Sequence, residues 1–588
     1  MSEPQKNKGL NLGLIKRILA YTKKYRALFF GSLLITMLLA ALAIVRPLLI
    51  SRALNDFVVD QRSLPGLNTI CLVILFFLLF EAFCQVINLR ITNLLGQNIV
   101  RDLRNQVYKH ILHLKNTYFD NSPVGTLVTR AVSDIESLSD VFSQGFIVIA
   151  GDLLMLATFI AVMFIKNWIL AFLALSTIPL LFVATALFKR GVKKTFTMVR
   201  NAVAALNTFT QEHITGMRLV QLFNREQREF EKFKEINRQH RTANIKSIFY
   251  YSVFFPVVEI LSSFSIALII WFAGVKGNAY DINLGDITFF IMMVNMMFRP
   301  IRMLADRLNT LQMGIVSAER VFKVLDTNEI ISDKGSLKFT GVKEQIEFKN
   351  VWFAYRKDHF VLKNVSFKIK AGHTVALVGA TGAGKSTIIN LLSRFYEYDK
   401  GQILIDGAEI RDFELTTLRR NTGVVLQDVY LFNDTILNNI TLSNPDIKTE
   451  EVMEATKRIG LYDYILSLPG GFQYHVTERG QSLSAGQRQL IAFIRAFVYQ
   501  PAVFILDEAT ATIDTQTEML IQQAVEKISE GRTSVIIAHR LSTIKHVDRI
   551  FVFENGEIIE EGSVADLLDK DSKFKKLYEL QNNRELIN

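Results

Sequence analysis

Residues 379–387 have the sequence GATGAGKST, a glycine-rich stretch whose residue types and spacing are suited to holding phosphate. It fits the pattern G-x-x-x-x-G-K-[ST], which fixes two glycines, Lys385 and Ser386. The apolar run 374–378 before it predicts a buried strand, and residues 388–394 after it predict a helix. The glycines let backbone N–H groups turn towards a phosphate, and the helix N-terminus adds its positive end. The stretch therefore predicts a nucleoside triphosphate site, in which Lys385 reaches the β- and γ-phosphates and Ser386 ligates Mg²⁺.

A pair of acidic residues ends a second apolar run, at residues 503–508 with the sequence VFILDE. An acid at the end of a buried strand beside a phosphate loop can hold the hydration shell of Mg²⁺, which is the role predicted for Asp507. Glu508 follows it and can polarise the attacking water. The alternative is a solvated pair of acids at a strand end, and the neighbouring phosphate loop favours the catalytic interpretation.

The composition predicts a membrane protein. The chain has 588 residues, half of them hydrophobic, with 44 Phe against 3 Trp, a balance that soluble domains rarely show. The formal charge of +11 could indicate nucleic acid. However, Lys and Arg stand where the cytoplasmic loops of a membrane protein carry them, so no nucleic-acid partner is expected. The two cysteines, Cys71 and Cys84, lie in one apolar run and match no metal or redox spacing.

Six apolar runs are each long enough to cross about 30 Å of hydrocarbon. They predict membrane-spanning helices at about 27–50, 67–89, 142–165, 168–188, 248–275 and 287–304. The long segments after the second and fourth runs are rich in Lys and Arg, and the short connections near 56–65 and 276–285 are not. Because positive residues stay inside, both termini and the long segments are expected in the cytoplasm, in a multi-pass protein of the cell inner (plasma) membrane. The long segments keep helical periodicity, so the membrane helices are expected to continue into the cytoplasm.

The residue pattern changes along the chain, and this change predicts the fold class. Residues 1–327 are predicted to form an all-α transmembrane domain, and residues 328–342 a linker in which Asp, Lys, Gly and Ser lie close together. Over residues 343–588 short apolar strands alternate with helices and glycine-containing turns, which predicts an α/β layer structure. We therefore expect six transmembrane helices with long cytoplasmic extensions, followed by an α/β phosphate-loop domain that binds nucleotide.

The order of the motifs resembles that of an ATP-binding cassette (ABC) ATPase, and the whole chain resembles an exporter-type half-transporter of the multidrug or lipid kind. Residues 483–487, LSAGQ, resemble the family signature and precede a predicted helix. The resemblance implies that this signature faces the γ-phosphate held by the partner subunit. It also implies that Gln427 contacts Mg²⁺, that His539 contacts the γ-phosphate, and that Tyr355 stacks on adenine. Segments beginning near 119 and 216 resemble the family's two coupling regions, which press on the nucleotide-binding domains.

These expectations define a candidate site whose cofactors are ATP and Mg²⁺. The predicted catalytic residues are Glu508, His539 and Gln427. The predicted metal ligands are Ser386, Gln427 and Asp507. The residues predicted to bind ATP are Tyr355, Gly379, Ala380, Thr381, Gly382, Ala383, Gly384, Lys385, Ser386, Thr387, Ser484, Gly486 and Gln487.

Departures from the family pattern bear on the partner. Ala485 stands where the family usually has Gly, and its methyl restricts the backbone and close approach to a phosphate. Leu490 replaces a more usual Arg, and residues 511–514, ATID, replace the usual SALD, while Glu508 is intact. A weakened signature with an intact glutamate resembles one half of an asymmetric heterodimeric exporter. A heterodimer is therefore favoured, and a homodimer that tolerates Ala485 is the alternative.

The predicted function is that of an ATP-hydrolysing exporter half-transporter, which moves amphipathic, drug-like compounds or lipids out across the membrane or between its leaflets. The alternatives are a lipid flippase-type exporter and an ATP-gated channel or regulator, against which the intact Glu508 argues. Charged residues in or at the ends of the predicted spans either line a polar pathway or snorkel and pair. They are Arg46, Glu81, Glu259 and Arg299.

Overall fold

The computed structural model describes residues 12–60, 62–331, 333–507, 515–538, 544 and 546–585. The chain forms two compact units, of which the first comprises Met1–Leu112 and Val124–Thr327. The second comprises His113–Pro123 and Asn328–Asn588, so that a short early segment belongs with the C-terminal part of the chain. The division of the sequence into 1–327, 328–342 and 343–588 stays a prediction.

Helices account for nearly all of the first unit. In chain order the α-helices up to residue 325 are α1 (Leu12–Ala20), α2 (Arg26–Arg52), α3 (Leu64–Ile111), α4 (Asn116–Asn121), α5 (Val124–Thr129), α6 (Ile135–Asp140), α7 (Ile147–Lys166), α8 (Trp168–Leu175), α9 (Ile178–Thr215), α10 (Met217–Leu222), α11 (Glu226–Lys276) and α12 (Leu284–Leu325). Short 3-10 and π segments join some of them, at Tyr21–Tyr25, Ala53–Asp60, Arg130–Asp134, Val141–Phe146 and Gly277–Ala279. Helix α4 alone among these lies in the second unit.

Six helical stretches in the described part of the chain are long and apolar enough to cross a membrane, which confirms the predicted number of spans, while their predicted bounds stay a prediction. The helices are also much longer than a bilayer requires. Helix α3 has 48 residues and α11 has 51, and at 1.5 Å per residue each extends over roughly 70 Å. The predicted extensions beyond the membrane are therefore confirmed. Helix α12 likewise continues to Leu325, well past the predicted end of the last span.

The break between the third and fourth spans lies at the predicted position. Asn167 has an extended backbone and caps α8, because its Oδ1 accepts hydrogen bonds from the backbone N–H groups of Ile169 and Leu170, both at 3.1 Å. Such a cap satisfies donors that a helix start leaves open. Large apolar side chains such as Phe159, Phe290 and Val294 then fill the space between the packed helices.

The strands belong to the second unit. They are β1 (Gln345–Arg356), β2 (His359–Lys370), β3 (Thr374–Gly379), β4 (Lys400–Ile405), β5 (Ala408–Glu409), β6 (Thr422–Val425), β7 (Val503–Asp507), β8 (Thr533–Ile537), β9 (Arg549–Glu554) and β10 (Glu557–Gly562). One antiparallel sheet has the order β2-β1-β4-β5, and the other sheet has the order β10-β9-β3-β8-β7-β6. In the second sheet the strands from β9 to β6 are parallel. Residues on β7 and β8 are buried throughout, as expected for parallel strands covered on both faces.

Helices cover this sheet and connect its strands. The described α-helices after residue 380 are α13 (Lys385–Leu392), α14 (Leu415–Arg420), α15 (Ile436–Thr441), α16 (Thr449–Arg458), α17 (Tyr462–Ser467), α18 (Ala485–Val498), α19 (Thr515–Ser529), α20 (Val564–Asp569) and α21 (Lys573–Glu585), with 3-10 turns at Ile410–Asp412, Gly471–Gln473 and Glu478–Gly480. In a parallel sheet the carboxyl ends of the strands meet at one edge, which is where ligands bind in open α/β sheets. The predicted phosphate loop follows β3 and therefore lies at this edge.

Candidate functional site

The phosphate loop requires glycine at its fixed positions. Gly379 and Gly384 have φ of +150° and +102°, a region that other residues rarely adopt. A Cβ on Gly379 would lie 2.2 Å from the carbonyl oxygen of Phe553, and one on Gly384 would lie 2.8 Å from Cδ2 of Leu362. Gly382 also has a positive φ, +85°, but a Cβ there would meet nothing within 4 Å. The backbone thus forms a tight turn that a larger residue at position 379 or 384 would disturb, while the space around a Cβ at Gly382 is open.

Lys385 begins α13 and is almost fully buried. Its Nζ donates hydrogen bonds to the carbonyl oxygens of Gly379 at 2.6 Å and Ala380 at 2.9 Å. Burial lowers the pKa of Lys385, and the nearby charge of Asp507 acts in the opposite direction. The ammonium group is thus held inside the curve of the loop, where an incoming phosphate would compete with these carbonyl groups for its protons.

The other residues of the loop divide into exposed and buried positions. Ala380, Thr381 and Ser386 are exposed, so the Ser386 hydroxyl is available to a ligand, whereas Ala383 and Thr387 are buried. Buried apolar residues of α13, such as Ile388, continue the contact with the sheet. The local sequence thereby anchors the helix against the sheet and leaves Ser386 exposed in its first turn.

Tyr355 is tied to the helix that follows the loop. Its hydroxyl donates to Oγ1 of Thr387 at 3.3 Å and accepts from Nδ2 of Asn390 at 2.9 Å. The ring remains 39% exposed and lies against the ring of Tyr396 with 5.0 Å between centroids. An aromatic side chain that is fixed at its hydroxyl and exposed elsewhere is suited to stacking on a planar base.

Asp507 ends β7 at the same edge of the sheet. It pairs in register with Ile537 of β8, which pairs with Leu377 of β3, and two strand spacings amount to about 9–10 Å. Asp507 is buried at 9% exposure and its charge acts on Lys385. Gln427 is exposed and follows β6, the strand next to β7. The structure therefore brings Lys385, Asp507 and Gln427 to one edge, while Glu508 and His539 lie outside the described residues.

The signature forms the start of α18. Oγ of Ser484 accepts from the backbone N–H of Gln487 at 3.2 Å, and Oε1 of Gln487 accepts from the backbone N–H of Ser484 at 2.8 Å. This reciprocal pair is a capping box, and the remaining N–H groups of the first turn have no partner within the helix. Gly486 is buried and Ala485 is exposed. Among the described residues, these signature residues share no hydrogen bond with the phosphate loop, so they form a separate element of the second unit.

Arg488 supports the signature and was missed by the sequence reasoning. Its Nη1 donates to the carbonyl oxygens of Leu483 at 2.7 Å and Gly480 at 3.2 Å, which fixes the turn before α18. A positive residue in the first turn of a helix is unfavourable for the helix dipole. A positive residue at this unfavourable position in the sequence could have indicated that Arg488 has a specific partner.

Family models of ABC transporters match parts of both units. Residues 29–301 match the family model of the ABC transporter transmembrane region, and residues 362–511 match that of the ABC transporter. An ATP-dependent lipid A-core flippase of Syntrophus aciditrophicus (strain SB) is 35% identical over 97% of this chain and 95% of its own length. A probable multidrug resistance ABC transporter ATP-binding/permease protein of Bacillus subtilis (strain 168) is 35% identical over 86% of this chain and 76% of its own length.

A solved structure agrees with the fold. The structure of a bacterial Atm1-family ABC exporter with ATP bound matches 95% of this chain and 98% of its own, with 27% identity and a TM-score of 0.77. This chain belongs to the ABC transporter family. It is an exporter-type half-transporter, a multi-pass membrane protein with a cytoplasmic nucleotide-binding domain that binds ATP, and it works as a dimer.

Proposed function

We propose that this chain hydrolyses ATP to move amphipathic, drug-like compounds or lipids out across the membrane or between its leaflets. The observation that carries the proposal is the phosphate loop with buried Lys385 at the same sheet edge as Asp507, in one chain whose described part holds six long apolar helices. The names of the relatives, a lipid A-core flippase and a multidrug transporter, support the two substrate classes. A flippase acting on lipids is the narrower form of the same proposal.

In this proposal the residues of the loop bind ATP together with Tyr355. Lys385 holds the β- and γ-phosphates, the N–H groups of residues 379–387 surround them, and Tyr355 stacks on adenine. Glu508 polarises the attacking water, and His539 contacts the γ-phosphate. Ser484, Gly486 and Gln487 of one subunit approach the ATP of the other through the open N-terminus of α18, where helix N–H groups and the dipole favour an anion.

The donors at the sheet edge also suit Mg²⁺. Ser386, Asp507 and Gln427 offer a hydroxyl, a carboxylate and an amide oxygen, and Mg²⁺ prefers oxygen ligands while keeping several waters. When bound, Mg²⁺ would neutralise charge on the β- and γ-phosphates. Residues 1–327 would then form the transmembrane domain, 328–342 the linker and 343–588 the domain that binds nucleotide.

We propose further that the second subunit is a different half-transporter. Ala485 is exposed at the first position of α18, so its methyl group faces the side from which a partner's phosphate would approach. Leu490 lies in the buried core of the unit with no exposure, where an Arg would need a partner. This chain's Lys385 and Asp507 would then meet the complete signature of the partner, and this chain's signature would cover a site of low activity.

The proposed transport activity can be tested on the protein reconstituted into liposomes. ATP hydrolysis is measured while amphipathic cations, anions and phospholipids are added one class at a time. We expect at least one class to stimulate hydrolysis, with no stimulation in a Lys385→Ala variant. A basal rate that no class of compound changes would contradict transport of amphipathic compounds or lipids.

A further inference from the structure

Helix α4 is held by the second unit through several contacts of different kinds. The backbone N–H of Lys115 donates to the carbonyl oxygen of Glu329 at 2.8 Å, and Leu114 forms an antiparallel bridge with Ile330. On the other side, the hydroxyl of Tyr396 donates to Oδ2 of Asp120 at 2.5 Å. Nζ of Lys115, the residue before α4, also lies 3.8 Å from a carboxylate oxygen of Glu397. The bond from Tyr396 joins α4 to a residue that also contacts Tyr355 of the candidate ATP site.

Tyr396 contacts the aromatic side chain predicted to bind the base. The rings of Tyr396 and Tyr355 meet edge to face at 85°, with centroids 5.0 Å apart, a preferred geometry for aromatic pairs. Tyr355 in turn is hydrogen-bonded to Thr387 and Asn390 of α13. A continuous set of contacts therefore runs from the helix behind the phosphate loop, through two tyrosine rings, to Asp120.

The bond between Tyr396 and Asp120 is of a strong and directional type. Burial and the carboxylate of Asp120 raise the pKa of Tyr396, so the hydroxyl keeps its proton and donates it to the carboxylate. Hydrogen bonds to ionised acceptors are shorter and stronger than those between neutral groups. Helix α4 has six residues, with residues 112–115 between it and α3 and residues 122–123 between it and α5. A shift of the Tyr396 ring would act on this short helix through Asp120.

We propose that Tyr396 is a positioning residue that transmits occupancy of the base-binding face of Tyr355 to helix α4. The inference rests on the proposed function, because it takes Tyr355 as the residue that stacks on adenine. A base stacked on Tyr355 fixes that ring, the ring fixes the edge of Tyr396, and the hydroxyl of Tyr396 fixes Asp120. Nucleotide would therefore order α4 through its base, in addition to any effect of its phosphates.

The chain contains a matched control. The hydroxyl of Tyr398 also donates to a carboxylate at 2.5 Å, that of Glu409, and burial likewise raises its pKa. Tyr398 precedes β4 and Glu409 ends β5, and both lie in the second unit. Tyr398→Phe thus removes the same kind of hydrogen bond without touching Asp120.

The test measures hydrogen–deuterium exchange of residues 113–123 in the full-length protein. Exchange is compared without ligand, with a non-hydrolysable ATP analogue, and with inorganic tripolyphosphate, which has no base. In the wild type the ATP analogue should slow exchange by about fivefold or more, the lower end of typical coupling between sites. Tripolyphosphate, at concentrations shown to displace a fluorescent ATP analogue, should slow it much less.

The variants separate a positioning role from a structural one. Tyr396→Phe should bind the fluorescent ATP analogue as the wild type does, since it keeps the ring, yet lose most of the protection of α4. Asp120→Ala should also lose this protection, because it removes the acceptor of the same hydrogen bond. The double variant should lose no more protection than the more affected of the two single variants. Tyr398→Phe should retain the protection.

Three outcomes would overturn the inference: full protection in both Tyr396→Phe and Asp120→Ala, equal loss in Tyr398→Phe, or equal protection by tripolyphosphate. Failure of the underlying ATP site is distinguishable from all three. In that case the wild type would not bind the ATP analogue, or Lys385→Ala would bind it equally well. If Tyr396→Phe does not fold, Asp120→Ala alone decides, because Asp120 is exposed on α4.

Discussion

At the scale of single residues, Lys385 combines burial with a function that needs its charge. Its Nζ has two carbonyl partners inside the phosphate loop, and Asp507 supports its protonated form. An incoming phosphate would have to replace these carbonyl groups as acceptors of the ammonium protons. The charge that the phosphates need is therefore already at the loop, and its hydrogen bonds change partners when nucleotide binds.

Replacing Lys385 with Ala should remove a direct cation from the phosphates. We expect hydrolysis to fall by roughly 10²–10³-fold, the usual loss when one preorganised donor is removed, and binding of a fluorescent ATP analogue to weaken. Lys527→Ala is the control, because Lys527 is exposed on α19 and its contact with Glu530, at 4.0 Å, lies at the surface. Activity of Lys385→Ala at the level of that control would show that the site is elsewhere.

The sequence could predict those parts of the site that consist of local motifs. The glycines of the phosphate loop and the acid at the end of β7 are defined by residues next to one another in the chain, and hydropathy alone located six spans. The bond between Tyr396 and Asp120 joins residues 276 positions apart, and Arg307 forms an ion pair with the buried Asp152 from a different helix. No local pattern predicts such pairs, because only the packed fold brings them together.

At the scale of elements, the signature is a helix start whose cap is made by its own residues. The same capping box occurs at α20, where Ser563 and Asp566 exchange hydrogen bonds in the same way. Both boxes have the same pattern of backbone hydrogen bonds, although the Ser563 hydroxyl also donates to Asp566 at 2.7 Å. Of the two, only the box at α18 is part of the signature. Comparing variants of the two boxes therefore separates the structural effect of a cap from its effect on ATP hydrolysis.

Ser484→Ala and Ser563→Ala should each destabilise the local helix by about 0.5–2 kcal/mol. The measurement is thermal unfolding together with the rate of ATP hydrolysis of the assembled dimer. We expect similar small losses of stability, and a fall in hydrolysis or in nucleotide trapping only for Ser484→Ala. Equal effects of both variants on hydrolysis would mean that Ser484 acts on the fold alone.

At the scale of the whole molecule, the order of the spans predicts which connections lie outside the cell and which lie in the cytoplasm. Tyr280 lies in the short connection between α11 and α12, and Leu222 ends α10 between the long extensions of α9 and α11. Their side chains are 49% and 74% exposed. In a background with Cys71→Ser and Cys84→Ala, Tyr280→Cys should react with a membrane-impermeant thiol reagent applied to intact cells, and Leu222→Cys only after permeabilisation. The opposite pattern would reverse the orientation of all six spans.

The identity of the second subunit can be decided with the purified chain. A heterodimer predicts low ATP hydrolysis by this chain alone, because its own signature carries Ala485 in place of Gly. Ala485→Gly should then raise that rate, since the added conformational freedom restores close approach to a phosphate. High, substrate-stimulated hydrolysis by the lone chain, unaltered by Ala485→Gly, would favour a homodimer.

The central claim is that ATP hydrolysis at residues 379–387 and Glu508 moves substrate against a gradient. Inside-out membrane vesicles that contain the chain and any required partner receive ATP and Mg²⁺ in the external medium. Accumulation of a fluorescent amphipathic cation and of a fluorescent phospholipid inside the vesicles is followed in parallel. We predict concentrative uptake of at least one of them, which Lys385→Ala abolishes and Glu508→Gln reduces by about 10²-fold or more while ATP remains bound. Movement that only equalises concentrations, and that proceeds equally in Glu508→Gln, would contradict the claim and identify an ATP-gated pathway instead.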